Sequence, residues 1–285
     1  MELFRALGAL AEPPSPGHAP IARSLELPEP APPSRYADLF LFQLYPYASV
    51  YLDPSGLLGG EARDRIAGFW RALDLDPPEE PDHLTVLLAF QARAVELHHE
   101  ADAPAAREAW RRARKALLWE HLLSWLPIWL GRLSELAEPF YAAWGRLLAQ
   151  ALEAEARDAG APEGDALPLH LRAAPSLDDP DPPGETGSPL GALLAPARSG
   201  IILVRSDLRR AADELGLGLR SGERVYALRA LLEQDRTSAL GWLAAEARRQ
   251  SALVDEWPEA FRPVAGFWRD RASRTAARLE EAISC

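Results

Sequence analysis

Proline is the feature that most limits what this chain can fold into. Of its 26 prolines, eight fall in residues 11–33 and eight more in residues 160–198, the latter among Gly, Asp and Glu. The ring fixes φ and removes a backbone donor, which breaks helix interiors and central strands alike. Both stretches therefore have the composition of linkers or poorly ordered loops. The expected organisation is a Pro-rich N-terminal segment (1–33), a bundle region (34–157), a Pro/Gly/acidic linker (158–198) and a smaller C-terminal helical unit (199–285).

Within the bundle region apolar residues recur at helical spacing. Ile66, Phe69, Trp70 and Leu73 fall at i, i+3, i+4 and i+7, and Phe140, Trp144, Leu147, Leu148 and Ala151 repeat the pattern after Pro139, a good first-turn residue. Leu84 to His98 and Pro104 to Trp125 read the same way. Leu118, Leu122, Trp125 and Trp129 form one stripe that Pro127 should interrupt or bend. Beyond residue 198, three short helical patterns follow the candidate caps Ser206, Ser221 and Thr237, and a charged helix follows Pro263. Only Ile201 to Val204 could be a short strand, and four residues do not decide it. The fold class is all-α, a helical bundle with a C-terminal helical extension.

Charge and cysteine usage narrow the function classes. Formal net charge is −11, with 48% apolar residues. Residues 1–198 hold 17 basic and 29 acidic groups, so the acidity is concentrated there. Such a field repels phosphates and attracts a cationic partner such as an arginine-bearing peptide, although solubility alone accounts for it equally well. The one cysteine, Cys285, offers no disulfide framework, CxxC metal site or plausible nucleophile. The start MELFRALGAL lacks a basic n-region and an adequate h-region, and no apolar run reaches the ~18 residues of a membrane span. The chain is expected to be cytoplasmic.

The most distinctive segment is Glu79-Glu80-Pro81-Asp82-His83-Leu84, in which an Asp-His pair opens a helix after a rigid turn. Asp82 suits a helix N-cap, where a carboxylate accepts from free amides and meets the positive end of the dipole. His83 begins a face continued by Leu87, Phe90, Ala94 and Leu97. An acid–base role for the pair lacks a nucleophile or metal shell beside it. His98, His99, Glu100 and His121 lack the i, i+4 spacing of a helical zinc motif, so no metal is expected. Gly56-Leu57-Leu58-Gly59-Gly60 lacks the Lys-Ser/Thr of a phosphate loop. Ser206 to Leu232 could be drawn as a helix-turn-helix, the alternative nucleic-acid-binding or helical interaction module, but its 9 basic and 7 acidic residues in 199–250 argue against nucleic acid.

These residues resemble the TorD/DmsD/NarJ-type family of redox-enzyme maturation chaperones. Many members carry Glu-Pro-x-Asp-His, which Glu79, Asp82 and His83 match with the proline displaced to position 81. The turn Tyr51-x-Asp53-Pro54-Ser55-Gly56 followed by Gly59-Gly60-Glu61, then His121-Leu122-Leu123-x-Trp125-x-Pro127 and Glu138-Pro139-Phe140-Tyr141, come in the order such chaperones show, over about residues 36–150. Ser199 to Leu203 and Gly216 to Arg220 look like a C-terminal extension of some members. The resemblance implies a non-enzyme without a cofactor of its own, a monomer or domain-swapped dimer, that binds the twin-arginine leader of a molybdopterin oxidoreductase precursor. On this resemblance the peptide-binding residues would be Glu79, Asp82, His83, Trp119, His121 and Trp125: Asp82, Glu79 and nearby Glu80 could meet the guanidinium pair, and Trp119, Trp125 and Trp129 the leader's apolar stretch, although tryptophans in such stripes are more often plain core.

Overall fold

The computed structural model describes residues 2–162, 164, 166–180, 188–219 and 222–284, among which there is no β-strand. Parts of the expected linker (163, 165 and 181–187), Arg220, the expected cap Ser221 and Cys285 lie outside the described residues. Helices α1 (Glu2–Ala9), α2 (His18–Ser24) and α3 (Pro33–Tyr36) lead into α4 (Ala48–Leu52), α5 (Gly60–Ala72), α6 (Leu84–Glu100), α7 (Pro104–Ala116), α8 (Leu126–Leu136) and α9 (Pro139–Ala159). Then come α10 (Leu169–Ala173), α11 (Pro189–Leu194), α12 (Pro196–Ser199), α13 (Arg205–Leu215), α14 (Arg224–Gln234), α15 (Arg236–Leu253) and α16 (Arg262–Ser284).

Prolines start helices here more than they prevent them. Pro33, Pro104, Pro127, Pro139, Pro189 and Pro196 each stand in a first turn, where the missing amide hydrogen would have no partner anyway. The Pro-rich windows consequently contain packed helices. Phe4 and Leu7 of α1, with Leu10 beyond it, lie in the same hydrophobic cluster as the bundle, and Arg5 pairs with Glu96 of α6. Leu171 of α10 joins that cluster, whereas Leu193 and Leu194 of α11 enter a second one built on α13 to α16.

The bundle core is aromatic. Trp129 stacks on Phe40 at 5.9 Å and meets Trp125 and Trp144 edge-on. A buried indole N–H needs an acceptor, and two of them tie outer helices to this centre. Trp144 Nε1 donates to the Leu7 carbonyl (3.0 Å), and Trp268 Nε1 donates to that of Ser124 (3.2 Å). The stripe Leu118, Leu122, Trp125 and Trp129 is buried throughout. It is interrupted as Pro127 requires: a π-helical turn over Leu117–Leu122 ends the preceding helix, and α8 begins at Leu126.

Residues 201–204 are extended but pair with no strand. Their side chains alternate at period two, Ile201 and Leu203 entering the second cluster and Ile202 and Val204 the bundle cluster. Side chains replace the missing ladder. Gln250 accepts from Ile202 N–H (2.9 Å) and donates to its carbonyl (3.1 Å), Arg224 donates to the Leu203 carbonyl (2.8 Å), and Asp207 accepts from Val204 N–H (2.9 Å). The expected caps differ as well. Asp235 accepts from Ser238 N–H at the start of α15, where Thr237 was the expected cap, and α13 begins before Ser206.

Between bundle and C-terminal helices lies a buried ionic cluster. One terminal nitrogen of Arg132 in α8 donates to Asp207, lying 2.7 Å from each carboxylate oxygen, and Arg132 also pairs with Glu135. Glu246 of α15 is almost fully buried nearby. Burial opposes its ionisation, but hydrogen bonds from Arg249, Gln250 and Arg210 outweigh that and hold its carboxyl down to about 2. Removing one member of such a cluster leaves uncompensated buried charge, so Arg132→Met should lower stability by about 3–5 kcal/mol in denaturant unfolding. A loss below about 1 kcal/mol would show that the cluster relaxes freely.

Exposed Arg172 offers trypsin a site within 158–180. Limited digestion should cut there early, and the fragments should co-elute in native size-exclusion chromatography, because Phe261, Val264 and Trp268 sit in the bundle core. Fragments that part without denaturant would show two independent units.

Candidate peptide-binding site

The segment containing Asp82 and His83 runs antiparallel to the chain before α4. Ala48 N–H donates to the Asp82 carbonyl (3.0 Å) and Leu84 N–H to the Pro46 carbonyl (2.8 Å), leaving Tyr47 and His83 as an isolated bridge. The Asp82 carboxylate therefore crosses to α4, where Oδ2 accepts from Ser49 N–H at 3.2 Å. It does not cap α6, as its position in the sequence suggests. His83 has that place, its Nδ1 accepting from Thr85 N–H at 3.3 Å. The reason is the extended backbone beside Tyr47: it alternates side-chain direction, so the carboxylate faces one helix start and the imidazole the next. Burial pushes the His83 pKa down, against the fields of Glu12, Glu80 and Asp82, which keeps the ring neutral and Nδ1 able to accept.

Asp82 and His83 are buried, at 2% and 7% exposure, so what reaches solvent at this loop is Glu79 and Glu80. Tyr47 Oη donates to Glu80 Oε1 at 3.0 Å, and Arg63 donates to the Glu79 backbone carbonyl at 2.7 Å, fixing the turn without neutralising its carboxylates. Exposed Asp74 and Asp76 precede them, and the field of Glu12 reaches the same histidine. The result is an acidic rim on a braced loop. A guanidinium pair is the cation that two adjacent carboxylates hold best.

The remaining residues singled out in the sequence are interior. Trp119 donates to the Gly160 carbonyl at 3.0 Å, and Trp125 donates to that of His121 at 2.9 Å while stacking on Tyr51 at 5.3 Å. Both tryptophans and His121 are buried, so as placed they present no face to a peptide. His121 Nδ1 lies 3.2 Å from Nε2 of His170 in α10, a partner that nothing in the sequence pairs with it. Burial and then the neighbouring histidine lower His121 to about 3, and burial and then Arg65 lower His170 to about 4, so both are neutral at pH 7. The pair fastens the helix after residue 158 to the bundle. His98 and His99 sit elsewhere, at the end of α6, and no group of three or more metal-ligating side chains occurs among the described residues.

The turn after Tyr51 is structural too. Asp53 accepts from Ser55 N–H (3.0 Å) and from Ala62 N–H (3.3 Å), capping α5. It approaches so closely that a Cβ on Gly60, at φ +69°, would lie 2.2 Å from its oxygen, which makes glycine obligatory there.

The loop and both helix starts fall inside residues 28–130, which match the family model described as the nitrate reductase delta subunit. The chaperone protein TorD of Vibrio vulnificus is 31% identical over 122 residues, 40% of this chain and 57% of that protein. TorD of Vibrio cholerae is 32% identical over 125 residues, 39% and 54% of the two chains, and that of Aliivibrio fischeri 31% over 86 residues, 29% and 40%. The chain thus spans only 40–57% of the length of these curated relatives. No solved structure matches it. Among the described residues no helix is long and apolar enough to cross a membrane. Over this stretch the all-helical bundle that carries the loop is thus similar to the nitrate reductase delta subunit family and to TorD chaperones.

Proposed function

We propose that the protein is a cytoplasmic chaperone that binds the twin-arginine leader and apo form of a molybdenum or tungsten oxidoreductase and holds that precursor while its cofactor is inserted. The observation that carries this reading is the pair of exposed carboxylates, Glu79 and Glu80, on a loop braced by Asp82, His83 and Tyr47. Preorganisation matters because a loop already held in place loses little entropy when it binds. Glu79 and Glu80 contact the arginines on this reading. Asp82 and His83 position the loop, and Trp119, His121 and Trp125 build the core behind it. Residues 34–157 are the client-binding bundle, and residues 199–285 an extension coupled to it through α16.

Isothermal titration with the leader peptide of a precursor encoded beside the gene tests the proposal. Micromolar or tighter binding, worth about 8 kcal/mol or more, is expected, together with a marked loss when the peptide's arginine pair is replaced by Gln. Glu79→Gln with Glu80→Gln should weaken binding about tenfold, or about 1.4 kcal/mol, and leave the melting transition near wild type because both positions are exposed. Asp82→Asn keeps an acceptor for Ser49 N–H and should bind nearly as well as wild type. Binding that ignores the double Gln variant would move the site off this loop, and failure of every such leader to bind would remove the function.

A further inference from the structure

A second concave surface lies apart from the acidic loop and has the opposite character. A groove of about 690 Å³ opens between residues 42–58 of the bundle and the α11–α14 region. Four of the large apolar side chains that stand exposed gather in its lining: Phe42 (49%), Leu57 (52%), Leu58 (57%) and Tyr226 (54%). Scattered apolar exposure is ordinary, but convergence on one concavity is the mark of a binding surface.

The charge around this floor is basic. Arg205, Arg224 and Arg229 line the groove, with Glu223 as the one acidic residue in its lining among the described residues. None of the three has a carboxylate within ion-pair distance among the described residues. The Arg205 guanidinium lies 6.0 Å over the Phe42 ring and that of Arg229 lies 5.8 Å over Tyr226, so both cations are drawn toward the apolar floor. Arg224 spends one donor on the Leu203 carbonyl, and burial pushes its pKa down, the sign of a cation short of solvation. The first turn of α14 begins at the same place. Its N-cap makes no side-chain bond, so its leading amides and the positive end of the dipole add to the field.

We infer that this groove binds a peptide segment in which apolar residues are flanked by carboxylates, the apolar chains lying on Phe42, Leu57, Leu58 and Tyr226 and the carboxylates on Arg205, Arg224 and Arg229. Charge complementarity selects this occupant. In a protein of net charge −11 the groove is a basic patch, and it repels the arginine-bearing segment that the Glu79–Glu80 loop attracts. The two surfaces thus read opposite chemistries, and this one does not depend on the leader reading.

Two fluorescein-labelled octapeptides test the inference by fluorescence polarisation on the full chain. Both carry a Leu-Phe-Leu-Leu centre, one with two Asp at each end and the other with two Lys. The Asp-flanked peptide should bind at least about tenfold more tightly than its Lys counterpart, a preference that weakens at high salt. Arg205→Glu with Arg229→Glu, both exposed and free of ion pairs among the described residues, should abolish the preference. Phe42→Ser with Leu58→Ser should weaken the Asp-flanked peptide. Equal affinity for the two peptides would overturn the inference. So would groove variants that dissociate a dimer of this chain, seen by sedimentation, while peptide binding stays the same.

Discussion

The contact between Arg132 and Asp207 is the constraint on which the arrangement of the rest depends. It joins the middle of α8 to the first turn of α13, and both partners are buried. A buried ion pair is a poor source of net stability, because desolvating two charges consumes most of the attraction between them. Its value lies in specificity. An apolar contact between the bundle and the C-terminal helices would tolerate sliding, whereas an arginine holding two carboxylate oxygens, with Glu246 beside it, admits one register. Asp207 also accepts from Val204 N–H, so the same carboxylate that meets Arg132 starts α13 and ends the extended segment before it.

That segment shows how the two hydrophobic clusters become one body. Residues 201–204 serve both clusters by alternating their side chains, and their backbone is satisfied by Gln250, Arg224 and Asp207. Helix α16 repeats the device with helical period: Val264 and Trp268 enter the bundle cluster, whereas Ala272 and Ala276 enter the second. The elements that line the basic groove are consequently held against those of the bundle. A concave surface made from two parts keeps its shape only when the parts cannot move apart.

At the acidic loop the same economy of side chains operates on a smaller scale. Asp82 and His83 are adjacent in sequence yet cap two different helices, α4 and α6. Each is buried by that work, which leaves Glu79 and Glu80 as the solvent-facing charges. On the proposed reading, an acidic loop and a basic, apolar groove would hold one client through segments of different chemistry, since two weak contacts on one chain reinforce each other when both can be reached at once.

The helical class, the amphipathic stripes, the break at Pro127 and the family resemblance were legible in the sequence because they rest on local rules: a 3.6-residue period, a missing amide hydrogen, and motifs in order. The prominence of Glu79, Asp82 and His83 was legible for the same reason. Which of them faces solvent was not, because that depends on Pro46 and Tyr47 lying alongside, a long-range pairing that no local spacing encodes. Likewise the tryptophans read as core or as an apolar surface, and packing against Phe40 and Tyr51 decides that they are interior. His170 and the groove at Phe42 and Tyr226 had no sequence signal. They arise where segments more than forty residues apart meet, and composition sets the material for such meetings while tertiary contact alone sets the place.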